Sequence, residues 1–176
     1  RQQSEVSLRN LQAVSGGVFK GSYRHLRKKR RAYGAEAVRA AAGVLCALKK
    51  GGAALDVKWY RYDTIDSTSS EARRLLQSGA LTPPAVVLAQ AQTAGRGRQG
   101  KSFYSPGKTG IYMSIVVDFP QEASSAALLT IRAGVAVSDA IREETGIETG
   151  IKWVNDIFLD GRKVCGILTE SVLQEG

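Results

Sequence analysis

Apolar positions fall along this chain in short blocks whose spacing separates strands from helices. Val57 to Ile65 alternates apolar and polar residues, the period-2 pattern of a half-buried strand. Asp66-Ser67-Thr68-Ser69-Ser70-Glu71 then opens a helix, with Thr68 and Glu71 at capping-box spacing and Gly79 at its end. Pro83-Pro84 breaks the chain before an apolar strand, Ala85 to Ala91, and a further apolar run spans Ile111 to Val117. From about Ser124 to Thr145, Leu128, Ile131, Val135, Ala136 and Ile141 recur at helical spacing. Ile151 to Val154 and Ile157 to Leu159 read as short strands, Asp160-Gly161 as a hairpin turn, and Val164 to Val172 as the last strand. Upstream, Ala35 to Lys50 is an alanine-rich helix stopped by Gly51-Gly52. This mixture of strands, helices and at least one hairpin predicts an α+β domain rather than a doubly wound parallel sheet.

A chain of 176 residues can bury one full core. Its net charge of +9 is uneven: residues 1 to 34 hold nine Lys/Arg against Glu5 alone, while the remainder is close to neutral. The organisation expected is a basic segment over 1–34, unstructured or partial, ahead of one domain over 35–176. The run Arg24-His25-Leu26-Arg27-Lys28-Lys29-Arg30-Arg31 suits phosphate backbones or an acidic surface, although a solvated segment is the plainer reading. Neither Cys46 nor Cys165 has a partner at metal-ligand spacing, so both read as buried thiols of a reducing compartment. No run reaches the roughly 18 apolar residues of a membrane span and no signal peptide is visible, so the expected location is cytoplasmic, with no membrane partner. His25, the only histidine, lies in the basic segment, which argues against a histidine triad or histidine metal site.

Gln90 to Ser105, QAQTAGRGRQGKSFYS, follows an apolar run with three glycines, two arginines and a lysine. Gly95 to Ser102 even spells the G-x-x-x-x-G-K-S of a phosphate-binding P-loop. A P-loop must open directly into a helix, however, and Pro106, Gly107 and Gly110 disfavour one here. Asp118, closing the next apolar run, is the matching candidate for a Mg²⁺-holding acid and equally a common strand end. Ser105 to Lys108 spells S-x-x-K without the other acyl-enzyme motifs.

The loop instead resembles that of the biotin protein ligases, Q-x-x-A-G-R-G-R-x-G between two strands, matched by Gln92, Ala94, Gly95, Arg96, Gly97, Arg98 and Gly100. A second signature of that family, K-W-P-N-D and then G-I-L-x-E, is matched by Lys152-Trp153-Val154-Asn155-Asp156 and Gly166-Ile167-Leu168-Thr169-Glu170. A third, D-S-T-N, is matched by Asp66-Ser67-Thr68-Ser69. The three lie in family order over roughly residues 56 to 170. Ser69 departs from the family's asparagine, Val154 from its proline, Lys101 from an arginine and Phe103 from a tryptophan. The family continues into a further glycine-rich strand and a small C-terminal β domain, so by this resemblance the catalytic domain here is incomplete at its C-terminus. The fold implied is a mixed, largely antiparallel sheet with helices packed on it.

The resemblance implies a reaction as well. Biotin is activated by ATP and Mg²⁺ to biotinyl-5'-AMP with release of pyrophosphate, then transferred to a lysine of a biotin carboxyl carrier protein. Ser67, Thr68, Ser69, Gln92, Gly95, Arg96, Lys152 and Gly166 would bind biotin. Gly95, Arg96, Gly97, Arg98, Gly100, Asn155 and Asp156 would bind the nucleotide, with Lys152, Arg96 and Arg98 as the catalytic cations; the metal ligands are left unassigned. Bringing a carboxylate against a triphosphate is repulsive until cations neutralise both, which these residues and Mg²⁺ could do. Plainer roles stand beside these: Ser67 and Thr68 as helix caps, Asn155-Asp156 as a turn, Trp153 and Phe103 as wall or core residues. Lys152 in an otherwise apolar strand is odd for a structural lysine, since burying its charge unpaired is costly. Two other functions remain open at this point, a lipoate-type acyl ligase and a nucleic-acid-binding protein using the basic segment. Some bacterial members carry an N-terminal winged helix-turn-helix, but residues 1 to 55 show no two helices joined by such a turn, and a homodimer is left open.

Overall fold

The computed structural model describes residues 10–11, 14–16, 56–107, 109–119 and 123–172. The helix expected over 35–50, the basic run at 24–31 and Cys46 lie outside the described residues. In chain order the elements are β1 (Asn10–Leu11), β2 (Val14–Gly16), β3 (Lys58–Ile65), α1 (Thr68–Gln77), β4 (Ala85–Gln92), β5 (Tyr112–Val116), β6 (Asp118–Phe119), α2 (Ala123–Thr145), β7 (Gly150–Lys152), β8 (Asp156–Leu159) and β9 (Arg162–Gly166).

The strands form a four-stranded sheet in the order β2-β5-β4-β3, a three-stranded sheet β7-β8-β9 and the short pair β1-β6. Only β3 and β4 run parallel among the described pairs, with α1 as their crossover; β2-β5, β4-β5, β7-β8, β8-β9 and β1-β6 are antiparallel. The α+β expectation, mixed and largely antiparallel, is borne out.

β4 reads as a continuous apolar run because both of its faces are covered. Ala85 and Val87 pack with Ala72, Leu76 and Leu81 on the α1 side, whereas Val86 packs with Ile115, Leu129 and Ala136 on the α2 side. Burying Val86, Ile115 and Leu129 stabilises the fold by roughly 1.5–3 kcal/mol each. α2 also reaches the second sheet, where Ala133 joins Ile157, Val164, Cys165 and Ile167. One helix thus fixes the two sheets against each other. At the β8–β9 connection Asp160 and Gly161 have φ of 48° and 72°, as a two-residue turn of this handedness requires.

Several boundaries differ from the sequence reading. The cap of α1 is Ser67, whose hydroxyl accepts from Ser70 N–H at 3.5 Å, rather than Thr68. Glu71 does not complete a capping box, because its carboxylate is taken by Tyr62 and Arg74. The strand expected over 151–154 ends at Lys152, and the one expected to reach Val172 ends at Gly166. The second difference has a local cause: Ile167 N–H donates to Asn155 O at 2.8 Å, so a turn residue takes over what a strand partner would have met. β7 is exposed along its whole length and Trp153 is 78% exposed, so Trp153 is neither wall nor core and Lys152 keeps its ammonium in water. No helix is long and apolar enough to cross a membrane among the described residues.

Candidate functional site

The glycine-rich segment folds back on itself as a hairpin. Gln92 pairs with Ser105 and Arg96 with Ser102, while Phe103 N–H donates to Gly95 O and Gly97 N–H to Lys101 O, each at 2.7 Å. A short 3₁₀ turn, Arg98–Gly100, makes its tip, with Gln99 and Gly100 at φ of 55° and 73°. Gly95 is required by close approach, since a Cβ there would overlap the Phe103 carbonyl and lie 2.7 Å from Ser105 Oγ. Such a hairpin is not a P-loop, because no helix follows whose first N–H groups could hold phosphate.

Behind the hairpin lies a directed chain of buried hydrogen bonds. Thr68 donates both its N–H (2.8 Å) and its hydroxyl (3.2 Å) to Gln92 Oε1. Gln92 Nε2 donates to Ser105 Oγ at 2.9 Å, and Ser105 donates to Phe103 O at 3.0 Å. On the other side Ser114 donates to Thr68 Oγ1 at 2.9 Å, so Ser69, 3.5 Å from Ser114, is the donor of that contact. Ser69, Thr68, Ser105 and Ser114 are all buried. These bonds fix the Gln92 amide in one orientation.

The cations arrive from two elements, the hairpin and β9. Arg98 Nη1 donates to Asn155 Oδ1 at 2.9 Å, and Asn155 Nδ2 donates to Ile167 O at 2.9 Å. Arg96 forms a two-nitrogen pair with Glu170, at 2.8 and 3.3 Å. Lys163 pairs with Asp156 at 2.7 Å as a contact of charges, without hydrogen-bond alignment. Arg96, Arg98, Asn155, Asp156 and Lys163, together with Ser69, Gln92, Gly97, Phe103 and Gly166, line an open cleft of about 320 Å³, within the size range of small-ligand sites.

Beneath the cleft the start of α1 is held electrostatically. Arg74 binds both oxygens of Asp66 at 2.7 and 2.8 Å, which with the Ser67 N–H lowers the Asp66 carboxyl to about 2 against the opposing effect of burial. Burial, and then the bond to Glu71, push the Tyr62 phenol up to about 12.

Of the residues singled out from sequence, the structure brings Ser69, Gln92, Arg96, Gly97, Arg98, Asn155, Asp156 and Gly166 to one cleft. Ser67 and Thr68 sit one layer behind it, buried as cap and as Gln92's partner. Gly95 and Gly100 shape the hairpin without lining the cleft. Lys152 lies outside the lining: opposite Asp156 on the neighbouring strand, its Nζ stands 5.2 Å over the Phe158 ring. Sequence reasoning missed Ser114 and Ser105 behind the cleft and Lys163 on its lining. The signal for Ser114 was present, a lone hydroxyl inside the apolar run 111–117.

Comparison with known proteins agrees with this geometry. The bifunctional ligase/repressor BirA of Bacillus subtilis is 40% identical over 116 residues, 65% of this chain and 35% of that protein. The biotin--[acetyl-CoA-carboxylase] ligase of Mycobacterium tuberculosis is 37% identical over 121 residues, 64% of this chain and 45% of that protein. Among solved structures, the biotin protein ligase from Aquifex aeolicus in complex with biotin and ATP is similar with a TM-score of 0.53 and 28% identity, over 63% of this chain and 45% of that one. This chain therefore spans between about a third and a half of the length of these relatives. Residues 62–176, most of the chain and all of the cleft, match the biotin/lipoate A/B protein ligase family, and the chain belongs to it.

Proposed function

We propose that this chain carries the biotin-activating site of a biotin–[biotin carboxyl carrier protein] ligase, acting in the cytoplasm. The observation that carries the reading is the convergence of Arg96 and Arg98 on the cleft whose floor is the oriented Gln92 amide and the Ser69 hydroxyl. The floor offers neutral donors and acceptors to a polar ring, and the mouth offers cations to carboxylate and phosphate. The relatives named above, biotin ligases, support the same substrates.

In the activating step a biotin carboxylate oxygen bonds to the α-phosphorus of ATP, the bond to the bridging oxygen breaks, and pyrophosphate leaves. Arg96 would hold the carboxylate against its repulsion from the phosphates and Arg98 would close the hairpin over the mixed anhydride, limiting its loss to water. Lys152, four methylenes long on the strand beside Asp156, would swing from the Phe158 ring toward the carboxylate. In the second step the neutral amine of an acceptor lysine on the carrier protein attacks the acyl carbon and AMP leaves.

The donor set fits Mg²⁺ in its usual mode, through one or two carboxylates plus phosphates and water. Asp156 is the carboxylate lining the cleft, and no group of three His, Cys, Asp or Glu suited to an all-protein metal cage occurs among the described residues. Asp156, with Asn155 beside it, would hold the ion, which when bound supplies neutralisation of phosphate charge.

Calorimetric titration of biotin, with and without Mg·ATP, tests the reading on the wild type and Arg96→Ala. Saturable binding that strengthens with nucleotide and weakens in the variant is expected. Binding of equal strength in both proteins would remove Arg96, and with it the proposed site.

A further inference from the structure

We infer that Glu170 is a positioning residue that fixes the plane of Arg96, and that Arg73 shares Glu170 so that the cluster retains a positive charge. The inference rests on the activating reaction proposed above and assigns work to two residues which that reaction leaves without a role.

Glu170 lies beyond β9, 74 residues from Arg96 and 97 from Arg73. Arg96 Nη1 donates to Oε2 at 3.3 Å, and Nη2 stands 2.8 Å from Oε1 as a contact of charges. A guanidinium is a planar fork with five N–H groups. Holding it by its terminal pair fixes the plane and leaves the Nε–H edge for another oxyanion. Glu170 is only 18% exposed whereas Arg96 is 40% exposed and lines the cleft, so the anchor is the more buried end of the pair.

Arg73, from α1, approaches the same Oε1 at 3.4 Å. An isolated Arg96–Glu170 pair would be neutral and would attract a triphosphate weakly. With Arg73 the three groups sum to +1, so Arg96 is held rigidly without losing its pull on an anion. The Nε of Arg73 is buried with no hydrogen-bond partner, so its placement costs stability rather than adding to it. A charge role accounts for that cost; packing alone does not.

The test has two arms. The first is independent of the reaction: the Arg96 Nε–Hε resonance, assigned by its loss in Arg96→Lys, should report slow guanidinium rotation in the wild type and fast rotation in Glu170→Gln. The second is kinetic, with biotin-dependent exchange of pyrophosphate into ATP as the readout. Glu170→Gln is expected to lower kcat about tenfold or more through misorientation, with KM for ATP changed less than about threefold. Glu170→Asp should recover part of the loss. Added to Arg96→Ala, Glu170→Gln should do nothing further, because Glu170 acts through Arg96. Arg73→Gln should raise KM for ATP and spare kcat.

Fast rotation of Arg96 in the wild type, or a Glu170→Gln loss that simply adds to that of Arg96→Ala, would overturn the assignment. A merely structural Glu170 would lower the melting temperature and active fraction without this split. A wild type that restrains Arg96 but shows no biotin-dependent exchange contradicts the proposed reaction while supporting the contact, so the two failures are distinct.

Discussion

Arg98 Nη1 donates to Asn155 Oδ1 at 2.9 Å, and this bond ties the tip of the glycine-rich hairpin to the second sheet. Asn155 is itself fixed from behind, through Nδ2 to Ile167 O and through its own carbonyl to Ile167 N–H. Asn155→Ala should therefore free the hairpin and leave the Ile167 carbonyl without its donor, costing about 1–3 kcal/mol of stability. Chemical denaturation measures that loss, and preformed biotinyl-5'-AMP should dissociate faster from the variant. Arg98→Ala should speed dissociation equally with a smaller loss of stability, since Arg98 is exposed.

Gln92→Ala removes the one group that meets Thr68 N–H, the Thr68 hydroxyl and Ser105 Oγ together. Each buried group left unmet costs about 1–3 kcal/mol, so the expected destabilisation exceeds that of a typical surface substitution. Biotin binding should be lost as well, and calorimetry on the folded fraction separates the two effects.

Two glycines of the hairpin should differ in kind. Gly95→Ala puts a methyl group into the Phe103 carbonyl, so the hairpin must open, at roughly 1–3 kcal/mol for overpacking. At Gly100 nothing lies within 4 Å of an added Cβ, and only the φ of 73° opposes it, about 1–2 kcal/mol. Gly95→Ala should weaken biotin binding whereas Gly100→Ala should lower the melting temperature and leave binding near that of the wild type.

How much of this was legible beforehand follows from how local each feature is. β4 and β5 were readable because burial on both faces leaves a continuous apolar run, and the Asp160-Gly161 turn because only certain residues accept positive φ. Gln92, Arg96 and Arg98 were readable from their spacing in one loop. Glu170 was visible as part of a signature, but its link to Arg96 depends on a partner 74 residues away. The exposure of Lys152 and Trp153 was not legible either, because an apolar strand at a sheet edge has the same sequence as one at its centre. The end of β9 was misplaced for a related reason, a turn residue intercepting the ladder at Ile167.

Stability should respond to acid through Asp66. Arg74 and the Ser67 N–H depress its folded pKa to about 2 from an ordinary 3.8, so the carboxylate contributes fully above about pH 4 and progressively loses that contribution as pH falls to about 2. Asp66 and Arg74 are 42% and 52% exposed, so solvent screening keeps the effect modest. Asp66→Asn should melt below the wild type at pH 6, and the gap should narrow as pH approaches 2. A gap that is constant over this range would mean that the Asp66–Arg74 pair does not stabilise the start of α1.

In the proposed reaction one cleft, floored by Gln92 and Ser69 with Arg96 and Arg98 at its mouth, joins biotin to ATP. Isotope exchange between pyrophosphate and ATP tests it most directly, because the exchange requires reversible formation of the adenylate and no acceptor protein. Exchange that depends on added biotin, saturates, and falls at least about a hundredfold in Arg96→Ala is the expected result. Exchange that proceeds without biotin, or that is unchanged in Arg96→Ala, would contradict the account.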